Sequence, residues 1–276
     1  MTLLAFASMK GSPGVTTTVF AVTAALRGHA GGLIVDCDPA GGDVASRLGC
    51  PPEPGVVELA TATRNGDMDP LSVQSYSQGL ASGVRVVAAP AGGGQTAAAL
   101  SAMSGLPRHP VVAGARRPGL VVAADLGRLG SGSPARPLVA GADLLALVLR
   151  PELDDVARLV DATPRLWDIT QRLGLVIVGR GRYRPGEVAE VVGAPVLGEL
   201  PYDRTGARLL PAAVGGNWAA SRSRLARAAF PLSSRMLRAS GGVADLAGDA
   251  DARPGRTRRR RRRAHMLALS DREHSS

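Results

Sequence analysis

The chain has 276 residues, of which 45% are hydrophobic, 20% charged and only 3% aromatic, which excludes wholesale disorder, a collagen-like repeat and a disulfide scaffold. No apolar run approaches the roughly 20 residues of a membrane span, and Met1-Thr2-Leu3-Leu4-Ala5, without a basic region, does not read as a signal peptide. The net charge of +10 is uneven, because nine of the 33 basic residues fall in residues 253–276 against only Asp271 and Glu273.

In chain order, Leu3-Leu4-Ala5-Phe6-Ala7-Ser8 reads as a buried strand. A glycine-containing turn, Lys10-Gly11-Ser12-Pro13-Gly14, leads into Thr16–Leu26, a mostly apolar stretch long enough for a helix, with Gly28 placed to stop it. Leu33-Ile34-Val35 is a second strand and ends in Asp36-Cys37-Asp38. Further strands are expected at Val84–Ala88, Leu120–Ala124, Leu144–Val148 and Leu175–Val178, with a weaker one at Pro195-Val196-Leu197. Gly92-Gly93-Gly94 reads as a flexible connection. Leu153, Val156 and Val160 hold a helical spacing that Pro164 interrupts, and Leu166, Ile169 and Leu173 repeat it until Gly174.

Apolar strands alternating with helices predict an α/β fold: a mostly parallel sheet with helices on both faces. That domain is expected over residues 1–240. A Gly/Asp linker and a disordered, Arg-rich basic tail are expected over 241–276, since eight residues from Arg256 to Arg263 hold seven arginines. Cys37 and Cys50 fit free thiols in a reducing cytoplasm. The histidines show no ligand spacing, so a zinc site is not expected.

A strand, a glycine-containing turn and a helix opening on threonines form the geometry of a phosphate cradle. Unpaired N–H groups and the helix dipole both favour an anion there. Such a turn also occurs merely to join strand to helix, and an aspartate ending a strand also caps the next helix. The strict G-x-x-x-x-G-K-[ST] pattern fails twice, with Met9 for its first glycine and Val15 for its lysine.

Lys10-Gly11-Ser12-Pro13-Gly14-Val15-Thr16-Thr17 nevertheless resembles the deviant Walker A motif, K-G-G-x-G-K-[ST]-[ST], of the MinD/ParA ATPase family. Lys10, the single lysine among 33 basic residues, matches the family's signature lysine. Leu33-Ile34-Val35-Asp36-Cys37-Asp38-Pro39-Ala40-Gly41-Gly42 resembles its second strand and switch. Val121-Val122-Ala123-Ala124-Asp125-Leu126-Gly127-Arg128 resembles its Walker B strand, and Leu197-Gly198-Glu199-Leu200-Pro201-Tyr202-Asp203 its late strand and loop beside the base. The Asp-Leu-Gly-Arg ending leans toward the CpaE/TadZ-like pilus-assembly branch.

The resemblance implies a P-loop fold, ATP and magnesium as cofactors, and a nucleotide-dependent homodimer into which Lys10 reaches across to the partner's phosphates. It implies that Gly11, Ser12, Pro13, Gly14, Val15, Thr16, Thr17 and Pro201 contact nucleotide, with Thr17 at the alpha-phosphate. Thr16 and, through water, Asp125 hold magnesium, and Asp38 orients the attacking water. No N-K-x-D guanine signature occurs, which favours ATP over GTP. Val15 removes the cation at the terminal phosphates, for which Arg180 or Arg182 could substitute from another loop. Where the family often places Asn near adenine, this chain has Gly179-Arg180.

Three functions follow. One is an ATPase of weak activity whose dimer positions a septum, a chromosome or plasmid, or a pilus or secretion assembly, with an unknown protein cargo. The alternative is an inactive pseudo-ATPase scaffold of a pilus or secretion system. The third is a DNA-associated partitioning factor that works through the arginine tail. The arginine tail could contact anionic membrane or nucleic acid or remain solvated, and Met266, Leu267 and Leu269 resemble a short form of a MinD-type membrane-targeting segment. The expected location is the cytoplasm, with peripheral contact at the inner face of the membrane.

Overall fold

Leu3, Ala5 and Ala7 face one side of strand β1 (Thr2–Ser8) and Leu4 and Phe6 the other, and each side meets a different hydrophobic core. This is why the strand is apolar throughout instead of alternating. The computed structural model describes residues 2–11, 13–26, 31–65, 72–216 and 222–241. All lie within the first of two units of the chain, Met1–Leu246. Ser12, Gly28 and the linker and tail from 242 onward lie outside the described residues.

Around β1 the sheet adds β2 (Gly31–Asp36), β3 (Gln78–Gly79), β4 (Arg85–Val87), β5 (Leu120–Arg128), β6 (Leu144–Leu149), β7 (Leu173–Val178) and β8 (Val196–Leu200). The 8-stranded order is β3-β4-β2-β5-β1-β6-β7-β8. Neighbouring strands run parallel apart from the β3–β4 edge pair. Helices α1 (Val15–Ala25), α2 (Val44–Leu48), α10 (Arg204–Gly215) and α11 (Arg224–Ala239) bury their apolar residues in the core beneath Leu4 and Phe6. The opposite core receives α3 (Val56–Arg64), α4 (Ser72–Ser75), α5 (Gly93–Ser104), α6 (Pro110–Gly114), α7 (Arg136–Gly141), α8 (Leu153–Trp167) and α9 (Pro185–Val192). The expected α/β architecture, mostly parallel with both faces covered, is the one observed. No helix among the described residues is long and apolar enough to cross a membrane.

Three local expectations are corrected. Pro164 does not interrupt a helix but lies inside α8. The carbonyl it leaves without an N–H donor belongs to Val160, which is 40% exposed and so lies on the solvent side of the helix. The spacing Leu166, Ile169, Leu173 runs across the helix end, and Leu173-Gly174 opens β7 instead. Gly174 is small because Leu197 of β8 packs over it, and a Cβ there would stand only 2.5 Å from Leu197 Cγ. Gly93-Gly94 is no flexible connection but the first turn of α5, with Gly92 as its N-cap. A Cβ at Gly93 would stand 2.6 Å from the Ala40 carbonyl oxygen, so the glycine lets α5 close against the loop after β2.

Pro164→Ala restores the N–H donor within α8 at an exposed position. It is expected to stabilise the chain by about 1–3 kcal/mol, read as a higher midpoint in urea unfolding. An unchanged or lower midpoint would show that the proline carries no helix cost here.

Candidate functional site

The cradle starts where β1 runs out. Ser8 closes the strand by accepting the Leu129 N–H on its carbonyl at 2.8 Å, while its hydroxyl donates to the Lys10 carbonyl at 2.6 Å. Gly14 then turns the chain at φ +102°, a left-handed conformation that disfavours side chains, and becomes the N-cap of α1. Its carbonyl takes the first helical bond, from the Thr18 N–H at 2.9 Å. No side chain caps α1 and no acid sits in its first turn, so the leading N–H groups face outward with the dipole's positive end.

An acidic wall stands opposite. Asp36 ends β2 in register with Asp125 of β5, and both are essentially without exposure. The Asp36 carboxylate accepts the Val44 N–H at 3.2 Å and the Asp38 N–H at 3.4 Å, which pins the turn into α2. Burial pushes its carboxyl well above the ordinary range, and neighbouring Asp125 adds to the shift. Asp125 accepts the Gly127 N–H at 3.0 Å and a hydrogen bond from the Thr16 side chain, yet burial still raises it to about 6. Asp38 accepts the Ala40 N–H at 2.9 Å and is raised chiefly by burial, with Asp43 contributing. Its carboxylate packs on Gly127, at φ +55°, where a Cβ would collide with it.

Between loop and wall lies a cavity of about 430 Å³, which brings together Gly11, Pro13, Gly14, Val15, Thr16, Thr17 and Asp38. A second cavity of about 430 Å³ shares Pro13, Gly14 and Thr17 with the first and runs on to Pro201, Tyr202 and Leu225. Arg150 stacks on Tyr202 at 4.7 Å, and Arg204 donates to its hydroxyl at 3.1 Å. Gly179, where the family's Asn was expected, adopts φ +79° and stands under Tyr202, with a Cβ position only 3.1 Å from that side chain.

Two predicted residues lie apart from the cavity lining. Asp125 is beneath the floor and reaches the site through Thr16. Lys10 pairs instead with Asp154 and Asp155 at the start of α8, and the bond to Asp154 raises its ammonium group further. Val15 is 6% exposed and packs into the core beneath α1. Arg180 and Arg182 line neither cavity; among the described residues the cations of the first are Arg47 and Arg128. Sequence reasoning missed Arg47, which lies one helical turn beyond Asp43 with no motif to mark it.

No protein-family model matches this sequence, and no curated protein matches it. Solved structures do. A ParA family ATPase from Chlorobium tepidum TLS superposes with a TM-score of 0.69 over 84% of this chain and 97% of that one, at 16% identity. The septum site-determining protein MinD of Pyrococcus horikoshii OT3, complexed with Mg-ADP, gives 0.65 over 90% and 97%, at 18% identity. An ATP complex of McdA from Cyanothece gives 0.60 over 87% and 96%, at 20% identity. The chain therefore has the fold of the ParA/MinD ATPases.

The Asp125 carboxyl, ordinarily near 3.8, sits at about 6 in the folded chain. The native state thus keeps a proton that the unfolded chain has released. Stability falls as pH climbs through that interval, and the loss is complete above it. Asp125→Asn keeps an acceptor oxygen for the Gly127 N–H but does not titrate. It is expected to gain on wild type from about pH 4 to 6 and to hold an advantage on the order of 3 kcal/mol above that. Thermal melts across pH read this directly, and parallel profiles for the two proteins would remove the burial cost assigned to Asp125.

Proposed function

We propose that the chain is a nucleotide-binding protein of the ParA/MinD type, in which bound MgATP pairs two copies and the pair positions other cellular machinery. One observation carries the reading. The uncapped N-terminus of α1 opens on a cavity walled by Asp38, with Asp125 buried beneath Thr16, and that cavity shares Thr17 with a second lined by Pro201 and Tyr202. Uncapped N–H groups suit phosphates, and a pocket lined by Tyr202 with Val178, Leu200, Pro201 and Leu225 suits a base.

The residues fit the cofactors. Thr16 hydroxyl and, through water, the Asp125 carboxylate are hard oxygen groups of the kind magnesium takes, and magnesium would supply charge neutralisation at the phosphates. Among the described residues no three His, Cys, Asp or Glu side chains gather into a metal cluster, so phosphate oxygens would have to complete the shell. Asp38, half-buried with its pKa raised, is the acceptor that would orient a water. Lys10 lies outside its own chain's cavity, which suits a role toward a second copy.

The apolar packing of Val15 favours a second reading, a pseudo-ATPase scaffold that binds nucleotide weakly and does not turn it over. The two are separated by phosphate release from the wild-type chain, and pairing is read by sedimentation with and without ATP. Val15→Lys returns a cation to the terminal phosphates. A charge-assisted bond contributes roughly 1.5–3 kcal/mol, so ATP affinity should rise about 10- to 150-fold, and ADP affinity less. If the folded lysine variant binds neither nucleotide in a calorimetric titration, the cradle reading fails.

The arginine tail is assigned to an anionic surface, since residues 253–276 hold nine of the 33 basic residues. Removing them should sharply lower retention on anionic vesicles or on DNA, and the loss should shrink as salt rises. Equal binding by the shortened chain to both surfaces would overturn the assignment.

A further inference from the structure

We infer that Arg47 supplies the charge that Val15 withholds, and that it does so at the inner end of the phosphate chain, so that the site holds ATP and ADP alike. This rests on the nucleotide reading above and adds to it the identity and position of the cation.

Arg47 is the half-buried cation of the cradle. It rises from α2, its guanidinium lies over the fully buried Phe20 ring at 4.9 Å, and Nη2 donates to Thr17 Oγ1 at 3.2 Å and to the Ala207 carbonyl at 3.5 Å. Among the described residues no carboxylate forms an ion pair with it. The acids around it are Asp43 on its own helix and Asp125 beneath the loop, and they act only from a distance. A partly desolvated guanidinium held by one hydroxyl and one carbonyl keeps most of its donors free for an anion. Arg128, the other cation of the cavity, is exposed at the end of β5 and makes no such contact with the loop.

The position follows from which walls are shared. Asp38 and Gly127 line the first cavity alone, whereas Ala207 and Tyr202 line the second alone. Thr17 lines both. A nucleotide with its base against Tyr202 and its terminal phosphate toward Asp38 passes Thr17 midway, at the phosphates ATP and ADP have in common. Arg47 itself lines the first cavity, and from there its Nη2 reaches Thr17 and the Ala207 carbonyl, at the edge where the two cavities meet. Those two bonds hold the guanidinium at the shared edge, and the acids that act on it are Asp43 and Asp125, not Asp38, which sets it nearer the common phosphates than the terminal one. The charge has been moved, and with it the basis for telling the two nucleotides apart.

The test titrates the full chain with MgATP and MgADP by calorimetry. Arg47→Met keeps an unbranched apolar stem over Phe20 and removes the charge; it should weaken both nucleotides about 10- to 150-fold, with their ratio unchanged. Arg47→Lys, which keeps the charge, should recover part of both. Adding Val15→Lys to Arg47→Met should rescue ATP and not ADP. If circular dichroism shows Arg47→Met misfolded, Arg47→Gln takes its place in the same comparison. Wild-type affinities in the folded Met or Gln variant would overturn the inference and leave the nucleotide reading standing, as would weakening of ATP alone. Failure of both wild type and Val15→Lys to bind either nucleotide would overturn both.

Discussion

Two carboxyl groups stand side by side near the middle of the sheet, Asp36 on β2 and Asp125 on β5, in register and almost without exposure. An ionised pair there is costly unless the backbone surrounds it with donors. The chain does so from both adjoining loops: Asp38 and Val44 give their N–H groups to Asp36, and Gly127 gives its own to Asp125. Such close wrapping leaves no space for side chains. A Cβ at Gly42 would strike the Asp36 carboxylate, and one at Gly127 would strike Asp38. The buried pair thus dictates the shape of the two loops, and the loops in turn aim Asp38 into the cavity and set α2 at the angle that brings Arg47 to Thr17.

A sheet sealed on both faces concentrates polar chemistry at the carboxyl ends of its strands. The loops after β1, β2 and β5 meet there, next to the point where the strand order runs outward in both directions from β1. On the positive side the uncapped α1 contributes roughly half an elementary charge through its dipole. Val15 contributes none. Its burial against the core beneath α1 adds to stability what a lysine would have added to anion binding. The cavity beside the loop is left with Asp38 and Asp43 as its carboxylates and Arg47 and Arg128 as its cations.

How much of this was legible in the sequence varies with the kind of signal. The central strands were visible because burial on both faces makes them continuous apolar runs, and the loop after β1, Asp38 and the late proline loop do line adjoining cavities. The end of α8 was not legible, because a period of 3.6 read across Trp167 into Leu173 fits helix and strand core equally well. Gly93 looked like slack in the chain, and its purpose shows only when the Ala40 carbonyl is seen above it. Arg47 was hidden for a similar reason. Its meaning comes from Phe20, Thr17 and Ala207, up to 160 positions away, and no local pattern encodes that meeting. Asp36 proved to be the helix-organising residue that the plainer reading of a strand-end aspartate describes, while Asp38, two residues on, faces the cavity.

Lys10 has two anionic destinations, and their surroundings decide between them. In the single chain its ammonium sits with Asp154 and Asp155 at the start of α8. The Lys10 and Asp154 side chains are 42% and 57% exposed, so water and salt screen the pair and the flexible stem loses entropy in holding it. A phosphate presented by a second copy would meet the same ammonium in a closed interface, where water is excluded and each charge acts through a lower dielectric. An exposed pair of this kind cannot hold the lysine against such a competitor. The same physics gives the pair a use in the single chain. Asp155 is itself buried and fixed by the Arg150 N–H at 2.8 Å, so the acids hold the lysine beside α8 and off its own cradle.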